Sequence, residues 1–138
     1  ADASLQPADI AYVNAHATAT DGGDVIESAA LREVFGAGAG DARVSSTKSV
    51  HGHLIGATSA LELLLTVVAM NESLLPASAH LDEIDPRCEL NHVGSRPLAG
   101  HAIDHALSFS CGFGGTNVAL VVSRGQPPTS TCPPRSPP

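Results

Sequence analysis

The chain has 138 residues, of which 43% are hydrophobic, 3% aromatic and 15% charged, with 14 acids against 7 bases for a net charge of −7. That length suits one domain or part of a larger one, its core must be built from Ala, Val, Leu and Ile, and the low charge content predicts a surface partly covered by another chain or by further sequence. The acidic balance excludes the basic stripe of a nucleic-acid binder, no apolar run predicts a membrane span, and "ADASLQPADI" does not read as a signal peptide.

Residues 9–15, "DIAYVNA", predict a short buried strand. "HATATDGG" (16–23) predicts a polar loop. Asp24 then offers an N-cap and Glu27 falls three residues on, a variant of the capping box. The helix it opens runs to about Phe35 and is stopped by Gly36. "GAGAGD" is a turn, "ARVSST" (42–47) a second strand and "STKSVHGH" (46–53) a loop. "GATSALELLLTVVAM" (56–70) predicts a helix that is apolar on nearly every face and therefore buried. "SLLPAS", "CELNHV" and "HALSFS" predict short strands, "CGFGGT" a glycine-rich connection, and "NVALVVS" (117–123) a final buried strand. Residues 125–138 are rich in proline and predict a disordered tail. Strand–helix–strand–helix followed by several strands predicts α/β layers with a mixed sheet. Cys88, Cys111 and Cys132 are odd in number and lack CxxC spacing. They predict neither a disulfide framework nor a zinc knuckle, and fit a reducing, cytoplasmic setting.

Three polar loops follow or join the predicted strands: "NAHATAT" with His16, "STKSVHGH" with Lys48, His51 and His53, and "CGFGGTN". Strands lying side by side would bring the first two to one edge of the sheet, where open α/β sheets bind ligands. Taken singly, each residue has an ordinary structural reading. His16 can be a surface histidine, Lys48 a solvated cation, and Asp24 and Glu27 caps. The H-x-H of His51 and His53 lacks a carboxylate or cysteine to complete a metal site. Glu62 is the exception. It lies within apolar "SALELLLTVV", and a buried carboxylate must be paired or protonated. Lys48 or a histidine is its natural partner.

Read in order, N-A-H-x-T-x-T, G-D-x-x-E, S-T-K-S-x-x-G-H, G-A-x-x-x-x-E and G-F-G-G-T-N resemble the β-ketoacyl-acyl carrier protein synthases, condensing enzymes of the thiolase-like superfamily. The resemblance runs from about Asp9 to Ser123, and "STKS" is nearer the type II fatty-acid elongating branch than the "SVKSN" form of modular polyketide synthases. It implies an incomplete thiolase-like C-terminal half at residues 1–124, a mixed sheet with packed helices, followed by the tail at 125–138. It implies decarboxylative Claisen condensation of an acyl thioester with malonyl-acyl carrier protein, in fatty-acid or polyketide synthesis. His16 and His53 match the two catalytic histidines, which face the malonyl thioester oxygen in a dry pocket. Lys48 matches the lysine that orders the charge network, and Glu27 and Glu62 match its balancing acids. Thr18 and Thr20 match the threonines that hold the phosphopantetheine arm. Phe113 matches a mobile gate whose N–H serves the oxyanion hole. His51 falls at a variable position, and no metal is implied. No cofactor is implied either, since phosphopantetheine arrives on the carrier-protein substrate.

The family's nucleophilic cysteine has no match here. Cys111 stands at a pocket-lining position that is often aromatic in the elongating enzymes. The resemblance therefore implies the last third of a ketosynthase, active with an N-terminal half or homologous chain and homodimeric at full length. The other reading is a non-catalytic remnant, or a structural partner of a full-length homologue. Either way a sheet lacking its first strand has an open edge, and the exposed apolar face predicts association. Ala17 stands where many members have glycine, a change expected to be tolerated if its backbone angle is ordinary.

Overall fold

The computed structural model describes residues 3–36 and 40–125. A 3-10 turn at Pro7–Asp9 precedes strand β1, Tyr12–Asn14. β1 starts later than predicted because Gln6 N–H donates to Asp9 Oδ2 at 2.7 Å, closing a turn over its expected beginning. Helix α1, Gly23–Phe35, ends where expected, with Gly36 at φ 89° and its N–H on Arg32 O. Its start corrects the capping prediction: Gly22 is the N-cap, with no side-chain cap. Strand β2 is Arg43–Ser45, and the predicted loop after it contains one helical turn, α2, at Lys48–His51. A 3-10 turn at Ile55–Ala57 leads into helix α3, Thr58–Glu72. Strand β3, Leu74–Leu75, pairs with β4, Leu98–Ala99, in a small antiparallel sheet. "CELNHV" is not a strand. Pro86–Cys88 makes a 3-10 turn capped by Asp85, and His92 meets Val44 only in an isolated bridge. β5, His105–Cys111, and β6, Asn117–Ser123, complete the chain order, joined by a 3-10 turn at Phe113–Gly115. The predicted proline-rich tail and Cys132 lie outside the described residues.

The main sheet has the order β2-β1-β5-β6. β1 is parallel to both β2 and β5, and β6 is antiparallel to β5. One face packs Ile10, Val13, Ala15 and Val44 against Leu31 of α1. The other packs Tyr12, Ile103 and Ala106 against Ala69 and Met70 of α3. This is the predicted mixed α/β arrangement.

Two further elements turn out differently from their prediction. The buried stripe of α3 is Thr58, Glu62, Thr66, Ala69 and Met70, while Leu64, Val67 and Val68 face outward. Its polar residues, spaced four apart, point in because they bond the sheet and loops beneath them. β6 is an edge strand and not a buried one: Val118, Leu120 and Val121 are exposed. The span Ile55–Glu72 also reaches 18 residues at a mean hydropathy of 1.2, enough by length and composition to cross a membrane. It carries a fully buried glutamate and packs one face on β5.

Candidate active site

Because β1, β2 and β5 run parallel, their carboxyl ends open at one end of the sheet. The loops after them carry His16, then Lys48 and His53, then Phe113. Alternation along β1 sends Tyr12 and Asn14 toward α3, and it sets the chain up to present His16 just beyond.

The first loop is clamped from α1. The buried Glu27 carboxylate accepts the backbone N–H groups of His16, at 2.7 Å, and Ala17, at 2.8 Å. Burial pushes this carboxyl upward and the two N–H groups pull it back. Its direct partners are thus backbone groups, and it makes no ion pair among the described residues. Ala17 and Ala19 hold φ of 21° and 58°, so the condition for tolerating alanine at position 17, an ordinary backbone angle, is not met. At Gly23, a Cβ would crowd the Thr20 hydroxyl. The Thr18 and Thr20 hydroxyl oxygens sit 3.3 Å apart at the outer side of the loop.

Beneath the loops lies an ion pair. Lys48 Nζ and Glu62 Oε1 are 2.6 Å apart, with side chains 5% and 0% exposed. Asn14, fully buried, ties this region together. Its amide donates to Thr47 Oγ1, Glu62 O and Thr66 Oγ1, and its carbonyl accepts Thr47 N–H. Sequence reasoning passed over Asn14 as a hub. The available signal was an amide inside an otherwise apolar strand, facing a helix with threonines on either side of Glu62.

Above the ion pair the two imidazoles meet edge to face, with centroids 5.8 Å apart and planes at 90°. His53 Nδ1 accepts the Ile55 backbone N–H at 3.0 Å. A nitrogen that accepts cannot carry the ring proton, so neutral His53 bears it on Nε2 as a free donor. His16 is held below its ordinary pKa by burial, then by the charges of Lys48 and His53, with Asp24 opposing. His51 is drawn elsewhere, with Nε2 at 3.2 Å from Thr47 Oγ1.

The third loop stays apart. Phe113 is 99% exposed. Gly114 and Gly115 beside it take φ of 73° and 82°. Gly112 N–H donates to Thr116 O at 2.7 Å, and a Cβ on Gly112 would lie 2.9 Å from that oxygen. With Phe113 and His53 both open to solvent, the described residues leave the expected dry pocket unclosed. The Cys111 thiol is pushed upward by burial and by Glu27, against the pull of Lys48, which disfavours the thiolate a nucleophile needs. Cys88 and Cys111 are free thiols. No group of three or more His, Cys, Asp or Glu could hold a metal among the described residues.

This mixed sheet between helices is a C-terminal part of a thiolase-like ketosynthase fold. Residues 1–82 match the β-ketoacyl synthase C-terminal domain, and the chain belongs to that family. It is 41% identical over 125 residues to 3-oxoacyl-[acyl-carrier-protein] synthase 2 of Synechocystis sp., covering 91% of this chain and 30% of that protein. It superposes on the ishigamide ketosynthase/chain length factor with a TM-score of 0.86 at 30% identity, covering 91% of this chain and 30% of the other. A type II polyketide synthase acyl carrier protein in complex with its ketosynthase bound to the hexaketide gives 0.83 at 28% identity, covering 88% and 30%. The chain thus spans about 30% of the length of the curated relatives it matches.

Proposed function

We propose that this chain is the C-terminal part of a ketosynthase that condenses an acyl thioester with malonyl-acyl carrier protein. The observation that carries the reading is the imidazole pair, with His16 and His53 edge to face and His53 Nδ1 already taken by the Ile55 N–H, so that its Nε2 faces outward from that bond. As the malonyl thioester loses CO₂, the bonding electrons pass to the α-carbon and the thioester oxygen. Two N–H donors aimed at that oxygen stabilise the enolate, and they do so most strongly where water is excluded. The carbanion then attacks the acyl carbonyl, and the carbon–carbon bond forms as the acyl-bearing thiolate departs. That thiol belongs to a cysteine outside this chain.

Lys48, anchored by Glu62, sets a cation beneath the two imidazoles. Glu27 holds the loop that carries His16. The Thr18 and Thr20 hydroxyls, on the outer side of that loop, suit hydrogen bonds to the phosphopantetheine arm. That arm comes with the carrier protein, so the chain needs no cofactor of its own. The gate role of Phe113 belongs to the closed state, when its exposed ring is covered. The partners are acyl carrier protein thioesters and an N-terminal ketosynthase portion, in a homodimer. The outward Leu64, Val67 and Val68 of α3 suit such a covering portion. Free thiols at Cys88 and Cys111 suit a cytoplasmic setting.

The test is reconstitution. This chain is co-expressed with the N-terminal portion of the Synechocystis relative, and decarboxylation of malonyl-acyl carrier protein is measured. Activity that requires both parts, and falls at least about a hundredfold in His53→Ala, is the expected result. A stable complex with no decarboxylation would overturn it, and would leave a non-catalytic remnant or structural partner.

A further inference from the structure

Residues 53–57, which carry His53, are all exposed, so packing does not hold its ring in place. The next residue is different. Thr58 opens α3, is 3% exposed, and sets its Oγ1 3.0 Å from His53 Nδ1. Because Nδ1 already accepts the Ile55 N–H, the hydroxyl must be the donor in this bond. Ile55 donates from a φ of 52°, a left-handed angle that is costly for a β-branched residue and therefore a weak anchor by itself. Thr66, two turns on, spends its hydroxyl on Glu62 O at 2.8 Å. Thr58 sits in the first turn and directs its hydroxyl to the imidazole instead. It also shares the buried face of α3 with Glu62, the partner of Lys48. A single rigid helix therefore fixes both the ion pair and the ring above it.

We propose that Thr58 is a positioning residue: its buried hydroxyl holds the ring orientation in which His53 Nδ1 meets the Ile55 N–H, and so keeps Nε2–H as the donor to the reacting thioester oxygen. The hydroxyl–imidazole geometry stands independently, but its use in catalysis rests on the condensing reading above.

The test has two readouts, applied to the full chain and to its reconstituted complex. The first is nitrogen-15 NMR of the histidine rings at neutral pH, in the unaltered chain, Thr58→Val and Thr58→Ser. The unaltered chain and Thr58→Ser should show one His53 ring state, with Nδ1 bare and Nε2 protonated. Thr58→Val should move both nitrogens toward averaged tautomer values. If the added methyl disturbs packing, Thr58→Ala must give the same change. The second readout is decarboxylation, where Thr58→Val should lose about fivefold to tenfold in kcat with KM unchanged, as expected for one lost hydrogen bond. Thr58→Ser should restore kcat to within about twofold. Unchanged His53 ring shifts in both Thr58→Val and Thr58→Ala would overturn the proposal, as would altered shifts with kcat intact in a complex that needs His53. Failure of the condensing reading looks different: His53→Ala would leave decarboxylation undiminished while the Thr58→Val shifts still appeared.

Discussion

At the residue scale, the Lys48–Glu62 pair and His16 carry consequences that can be measured without any substrate. Both members of the pair are buried, so removing one strands the other as an uncompensated charge. Such a deletion costs about 3–5 kcal/mol. Glu62→Ala should therefore lower the denaturant midpoint far more than Glu72→Ala at the exposed end of the same helix. Equal effects in the two variants would mean that the pair is solvated. His16 adds a pH dependence. Its folded pKa lies below the ordinary 6.5, so as pH falls through that value the unfolded chain takes up the proton first. Stability is then present above the ordinary value and lost as pH falls toward the depressed one. Glu27, raised above 4.5 by burial, acts in the opposite sense from there upward. Comparison with His16→Asn isolates the histidine: the variant's stability should decline less steeply below pH 6.5, and parallel profiles would refute the argument.

At the scale of elements, the site was more legible than the packing. His16, Lys48, His53 and Glu62 sit in short motifs whose spacing is set by strand ends, and the parallel β1–β2 pairing brings them together as expected. The faces were harder. A helix that is apolar on nearly every face gives no periodic signal, so composition suggested that α3 is buried all round. Leu64, Val67 and Val68 face outward instead, because three polar residues at fourfold spacing turn inward to their hydrogen-bond partners: Thr58 to His53, Glu62 to Lys48, and Thr66 to Asn14. β6 misled for a related reason. Apolar "NVALVVS" is what a fully buried strand looks like, and also what an edge strand looks like when its cover comes from elsewhere. Glu27 shows the limit of local motifs. Its spacing from Asp24 resembles a helix cap, but the carboxylate crosses to the His16 loop, eleven residues back in sequence. A capping box is a local inference, and that bond is tertiary.

At the scale of the molecule, the exposed apolar surface decides how the chain behaves in solution. Leu64, Val67 and Val68 on α3 and Val118, Leu120 and Val121 on β6 are all more than a third exposed. Among the described residues β6 pairs with β5 on one side only, and it offers its other row of N–H and C=O groups to any strand that arrives. Such an edge, apolar and seven residues long, is a template for pairing between copies. The net charge of −7 opposes association, but screening at physiological salt confines that repulsion to about 8 Å. We therefore expect the chain alone to sediment as a concentration-dependent mixture of oligomers. Co-expression with the N-terminal ketosynthase portion should replace the mixture with one defined complex. A lysine at the edge tests which surface dominates. Leu120→Lys places a charge in the open strand and should shift the isolated chain toward monomer. Leu64→Lys, on the outer face of α3, should leave edge pairing in place and instead weaken the complex with the N-terminal portion. If Leu120→Lys leaves the oligomer distribution unchanged while Leu64→Lys collapses it, association runs through the helix face, and the β6 edge is not its cause.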